Sequence, residues 1–62
     1  MNVNPLDLIP GDRVYHSPAL EIPMRKLIFF CRVTESCYRF FDIGSCVQLT
    51  PDQVSSECFP CN

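Results

Sequence analysis

Five cysteine thiols are the most reactive groups in this 62-residue sequence, and they are Cys31, Cys37, Cys46, Cys58 and Cys61. Their odd number and the lack of an export signal both argue against a disulfide framework. Free cysteine packs as a small hydrophobic residue, which is what we expect of Cys31 and Cys46 within their strands. The sequence therefore predicts structural thiols and requires no cofactor.

Zinc binding is the alternative for the C-terminal cysteines. Cys58 and Cys61 have the two-residue spacing of a zinc knuckle, in which two thiolates converge on one ion. A structural zinc ion needs two more ligands, and the sequence has no second pair with this spacing. In this alternative the fold would supply the missing ligands from Cys37, Cys46 or His16.

Nucleophilic catalysis would depend on His16, the only histidine. It would need a cysteine or serine beside it and an orienting acid such as Asp12 or Asp42, and the spacing supports no such arrangement. With Gly11 and Gly44 as the only glycines, the chain also has no glycine-rich phosphate loop. We therefore expect no enzymatic activity.

Aromatic and cationic side chains near the middle of the chain are the candidates for a binding surface. We predict that this surface recognises a protein partner and contains Tyr15, Phe30, Arg32, Arg39 and Phe41. The same residues fit nucleic-acid binding, in which aromatic rings stack on bases and cations contact phosphates. A net charge of −2 disfavours that alternative.

Length and hydropathy predict one small domain, 1–62, in the cytoplasm. The longest apolar run, 27–31, is much shorter than the ~20 residues that a membrane-spanning helix needs. The N-terminus has neither the cationic start nor the apolar stretch of a secretory signal. We expect no membrane partner.

Proline and glycine divide the chain into short elements. Residues 1–11 predict an extended N-terminal arm, in which Leu6, Leu8 and Ile9 pack against the core. A turn at 10–12 precedes a strand at 13–16, and the two prolines within 17–23 indicate a loop. Aromatic and β-branched residues predict a central strand at 26–34.

The second half of the chain continues this pattern. A turn at 35–36 joins the central strand to a strand at 37–42, and another strand follows at 46–49. Thr50 and Gln53 form a capping-box signature that predicts one helical turn at 51–55. A final strand is expected within 55–59, and a cysteine-containing tail at 58–62.

This order of elements predicts a mainly β fold: a small curled antiparallel sheet, or a barrel, of about five short strands. The helical turn before the last strand and the sequence Pro-Gly-Asp-Arg-Val at 10–14 resemble SH3-like and Tudor-like barrels. That resemblance implies a fold and no particular function.

The hairpin at 26–42 carries the functional hypothesis. A regular two-residue turn would place Arg32 opposite Arg39 and Phe30 opposite Phe41. Because opposed guanidinium groups repel, either the register differs or an anion lies between them. Both faces of the hairpin are unusually apolar, which predicts a contact surface or a homodimer seam. We expect an adaptor, regulator or inhibitor that binds through the face or the edges of this hairpin.

Overall fold

Five antiparallel strands form, four of them close to the predicted positions and the last one shifted toward the C-terminus. The computed structural model describes residues 2–19 and 23–61. Its strands are β1 (Arg13–His16), β2 (Arg25–Thr34), β3 (Cys37–Asp42), β4 (Ser45–Leu49) and β5 (Cys58–Pro60). The α-helix α1 (Pro51–Glu57) connects β4 to β5. Residues 20–22, part of the predicted loop, lie outside the described residues.

The strands form one sheet in the order β4-β3-β2-β1-β5. The predicted mainly β fold with a curled antiparallel sheet is therefore confirmed. Strands β4 and β5 are the two edges and do not pair with each other in the described part of the chain, so the sheet is open and not a closed barrel. Its two central strands, β2 and β3, are those of the predicted hairpin.

One face of the sheet forms the hydrophobic core. Alternate residues of β1 to β4 point to this inner face, and Val54 of α1 and Cys58 of β5 close it. The buried apolar residues are Val14, Leu27, Phe29, Tyr38, Phe40, Leu49, Val54 and Cys58. Burying a large side chain of this kind contributes roughly 1.5–3 kcal/mol, so this single layer provides much of the stability.

Helix α1 begins with the predicted capping box. The backbone N–H of Gln53 donates to Thr50 Oγ1 at 3.1 Å, and the backbone N–H of Thr50 donates to Gln53 Oε1 at 2.9 Å. Both donors would otherwise be unpaired at the helix start. The helix continues to Glu57, beyond the expected end at 55, and its Val54 is buried. Strand β5 accordingly starts at Cys58, within the segment expected to be a tail.

The N-terminal arm differs from the prediction. It is not extended throughout, because Pro5–Asp7 form a turn of 3₁₀-helix that Asn4 caps. Leu8 packs against the core as expected, but Leu6 and Ile9 are 77% and 66% exposed. Leu6 lies on the 3₁₀ turn and is directed to solvent, whereas Leu8 is in extended backbone, where successive side chains such as Leu8 and Ile9 point to opposite sides.

The β2–β3 hairpin turns at 35–36 as predicted, but the predicted register is wrong. Two irregularities, at Phe30 and Val33, each add one residue to β2. Arg32 is consequently paired with Tyr38, and the predicted opposition of Arg32 and Arg39 does not occur. Separating the two guanidinium groups removes a repulsion that a regular hairpin would contain.

The shifted register also improves the core. It pairs Phe29 with Phe40, whose ring centroids lie 5.3 Å apart. The regular register would have placed Phe29 opposite Asp42. Register follows the hydrophobic pattern of a half-buried sheet, so the pairing of two core rings explains why β2 is bulged.

Candidate functional site

The face of the sheet opposite α1, here called the outer face, presents apolar side chains to solvent. Ile28, Phe30 and Phe41 are 44%, 47% and 41% exposed, and Tyr15 is also exposed. The rings of Phe30 and Phe41 are in contact, with centroids 4.9 Å apart. Side chains of this size at the centre of a sheet, rather than at its rim, form a continuous apolar patch.

Cations surround this patch. Strand alternation places Arg13 of β1, Lys26 of β2 and Arg39 of β3 on the outer face. No aspartate or glutamate occupies an outer-face position in the five strands as described. The Nε atom of Arg39 is covered and has no hydrogen-bond partner within residues 2–19 and 23–61. The outer face is therefore apolar at its centre and positively charged around it.

A groove lies at the end of the outer face near the β3–β4 turn. It has a volume of about 430 Å³ and is lined by Arg25, Lys26, Ile28, Phe41, Asp42 and Ile43. The Arg25 guanidinium donates to the Asp42 carboxylate at 3.1 Å, so the one acid of the groove is paired. The exposed Lys26 remains as the cation beside its apolar wall.

Four of the five residues predicted for the binding surface lie on the outer face. Tyr15, Phe30, Arg39 and Phe41 are brought to this side, with Tyr15 separated from the two phenylalanines by the width of β2. Arg32 does not join them, since it pairs with the core residue Tyr38 and lines a cavity beside the N-terminal arm. The bulge at Phe30 separates Arg32 from the outer-face positions of β2 and places it on the other side of the sheet, which regular alternation could not have revealed.

The edges of the hairpin, predicted as an alternative to its face, are partly occupied within the sheet. Strand β1 pairs with residues 25–28 of β2, and β4 pairs with residues 38–42 of β3. Residues 30–34 of β2 have no partner strand on that edge in the described part of the chain, so the outer face is the larger of the two surfaces.

The cysteines are free thiols, but their burial differs from the prediction. Cys46 is exposed and Cys31 is half-buried, whereas Cys58 is fully buried. The Cys37 thiol lies 3.6 Å from Gln48 Oε1, to which it donates. Cys58 alone therefore has the packing role that we expected of Cys31 and Cys46.

The proposed zinc ligands do not all come together, although His16 and Cys58 lie opposite each other on β1 and β5. Within residues 2–19 and 23–61, no group of three or more metal-ligating side chains is found. Cys58 lies in the core, whereas Cys61 reaches the Tyr15 hydroxyl, whose pKa it raises through a hydrogen bond and through its charge. Residues three apart in an extended strand have Cα atoms about 10 Å apart, so β5 would have to bend before both thiols could reach one ion.

A buried polar contact between β1 and the end of α1 was not predicted from the sequence. His16 is only 5% exposed, and its Nε2 lies 2.9 Å from Oε1 of Glu57. His16 and Val14 are two residues apart in β1 and so share the core face, and this spacing could have predicted the burial of His16. Nothing in the sequence indicated Glu57 as its partner.

Cys58 lies next to this pair, opposite His16 in the β1–β5 ladder. A cysteine that lies beside a histidine and an acid could be a nucleophile with its base, so the pKa of the thiol matters. Burial, and secondly the charge of Glu57, raise the pKa of Cys58 to about 11. A reactive cysteine needs a lowered pKa and access to substrate, so the contact is better suited to joining β1, α1 and β5.

The fold and the outer face together define a small open antiparallel β-domain with an exposed apolar and cationic surface. No family model, no curated protein and no solved structure matches the chain. None of the helical segments in the described ranges is both long and apolar enough to cross a membrane.

Proposed function

We propose that this domain is a non-enzymatic binding module, an adaptor, regulator or inhibitor, that contacts a protein partner through its outer face. The observation that supports this proposal is the exposure of Ile28, Phe30 and Phe41 at the centre of the sheet. Large apolar patches on a small monomer are typical of interaction sites, and aromatic residues dominate the binding energy of protein interfaces.

The size of the patch suits such a role. A partner that covered the half-exposed Phe30, Phe41 and Ile28 would gain roughly 2–4 kcal/mol from apolar burial, before the costs of association. Arg39 and Lys26 at the border would orient the partner, since charged residues at the rim of an interface affect specificity and association rate more than affinity.

Site-specific photocrosslinking in the native host tests the proposal. A benzophenone amino acid replaces Phe30 on the outer face or, as a matched control, Leu6, which is exposed in the N-terminal arm. We expect a discrete protein adduct from position 30 that is lost when Phe41→Ser is added. An adduct that forms equally well from position 6, or that survives Phe41→Ser, would contradict the proposal.

A second candidate, nucleic-acid binding, is supported by one observation. Arg13, Lys26 and Arg39 share the outer face with Tyr15 and Phe41, as stacking on bases and contact with phosphates require. If three cations each contacted a phosphate of a single strand, the slope of log K against log salt would be about −2. Fluorescence anisotropy with labelled single- and double-stranded oligonucleotides measures this slope, and an absence of binding at low salt would eliminate the candidate.

A further inference from the structure

We propose that the outer face binds an acidic protein segment that inserts an apolar side chain into the groove between β2 and the β3–β4 turn. This inference rests on the proposed function and adds the chemistry of the partner. Its occupant is a different protein and not a second copy of this chain.

Charge is separated between the two sides of the molecule. The net charge of the chain is −2, yet the outer-face strand positions carry three cations and no carboxylate among the described residues. The described acids lie off these strand positions, in the N-terminal arm, the turns, the end of β3 and α1: Asp7, Asp12, Glu35, Asp42, Asp52 and Glu57. Of these, Asp42 lines the groove, where Arg25 pairs with it. An acidic partner would meet attraction on the outer face and repulsion on the rest of the surface.

The same charges disfavour a face-to-face homodimer. Two copies that joined their apolar patches would bring Arg13, Lys26 and Arg39 of each copy into one interface, where the described strand positions offer no carboxylate to pair with them. Like charges in an interface oppose association, and desolvation makes the repulsion stronger than in water. The homodimer seam considered from the sequence is thus the less favourable use of this face.

The groove specifies what the partner must present. Ile28, Phe41 and Ile43 provide apolar walls, and the pairing of Arg25 with Asp42 leaves no uncompensated acid to repel a carboxylate. Lys26 lines the groove, and Arg13 is paired with Ile28 on the neighbouring strand. An aliphatic or aromatic side chain flanked by aspartate or glutamate therefore matches both the walls and the border.

Selection from a display library of random peptides of about a dozen residues, long enough to cross the sheet, tests this inference. The baits are the wild-type domain, Phe41→Ser, and the double variant Arg13→Glu with Lys26→Glu. We expect the wild type to enrich peptides with several acidic residues around one large apolar residue. We expect Phe41→Ser to enrich none of these, and the charge-reversed variant to prefer basic peptides.

Affinity measurements with one selected peptide give the contribution of the cations to binding. Two screened ion pairs near the surface together contribute about 1.4 kcal/mol, so charge reversal at Arg13 and Lys26 should weaken binding about tenfold or more. Replacing both by glutamine should weaken it less, and this variant provides the measurement if charge reversal prevents folding. Lys26→Arg is the matched control that should retain binding.

The outcomes separate the two claims. Selected peptides that depend on Phe41 but are neutral or basic would overturn the acidic-partner inference and leave the protein-binding proposal standing. Peptides that bind equally well to Phe41→Ser would count against both. A selection that yields no peptide dependent on the outer face would also overturn the inference, because the proposed groove would then have no affinity for its stated ligand class.

Discussion

Two adjacent phenylalanines offer a direct test of the two-sided sheet. Phe40 is fully buried in the core, whereas Phe41 is 41% exposed on the outer face. We expect Phe40→Ala to destabilise the domain far more than Phe41→Ala, although the two substitutions remove the same atoms from neighbouring positions of β3.

The magnitudes follow from burial. Truncating a fully buried phenylalanine costs about 3–5 kcal/mol, because a cavity adds to the lost transfer energy. Truncating Phe41 removes about half as much buried apolar surface, together with the contact with the Phe30 ring, and should cost about 1–2 kcal/mol in total. A domain of this length has a free energy of unfolding of about 3–9 kcal/mol, so Phe40→Ala removes about a third of it or more.

Urea denaturation followed by far-UV circular dichroism measures both effects, with tyrosine fluorescence as a second probe since the chain has no tryptophan. The difference between the variants corresponds to a midpoint shift of about 2 M for a slope near 1 kcal/mol per molar. Equal destabilisation by the two substitutions, independent of protein concentration, would refute the assignment of Phe41 to an exposed face. Concentration-dependent stability of the wild type alone would instead indicate a homodimer through that face.

Three further predictions concern the core side. Glu57→Ala should lower the free energy of unfolding by about 1–3 kcal/mol because it leaves the buried His16 side chain unpaired, and Glu57→Gln should lower it less. Equal losses of stability for the two variants in urea denaturation would contradict this. Because the pKa of Cys58 is raised from 9.0 to about 11, its thiol should react with a thiol reagent only on unfolding, whereas the exposed Cys46 should react at once. The contribution of Cys58 to stability should fall as pH rises from about 9 to about 11, and Cys58→Ala should remove this decline. Thr50→Ala should cost about 1 kcal/mol through loss of the cap, whereas Thr50→Ser should cost little in the same assay.

Local patterns predicted the elements of this fold because each is governed by residues close in sequence. The strand at 13–16 and the strand at 37–42 have the expected bounds, and the capping box at Thr50 forms as its spacing indicates. Gly11 and Gly44, which have positive φ, lie at the predicted turns. Curling of the sheet followed from the number of strands and the short chain.

Features that depend on distant residues were not predictable in the same way. The bulges at Phe30 and Val33 allow Phe29 to pack against Phe40. Packing of the whole core therefore determines this register, and the turn at 35–36 alone does not. The position of Arg32 changed with them. The partner of His16 is 41 residues away, so only the paired strands β1 and β5 could reveal it.

Chain length explains why an apolar face remains exposed. The single seven-residue helix can cover one side of the sheet, and the described residues provide no second layer for the other. An exposed apolar sheet normally promotes self-association, and charged side chains are the usual means of preventing it. Arg13, Lys26 and Arg39 provide that protection among the outer-face positions. Because these cations would repel a second copy and attract carboxylates, resistance to self-association and the proposed preference for an acidic partner would have the same physical origin.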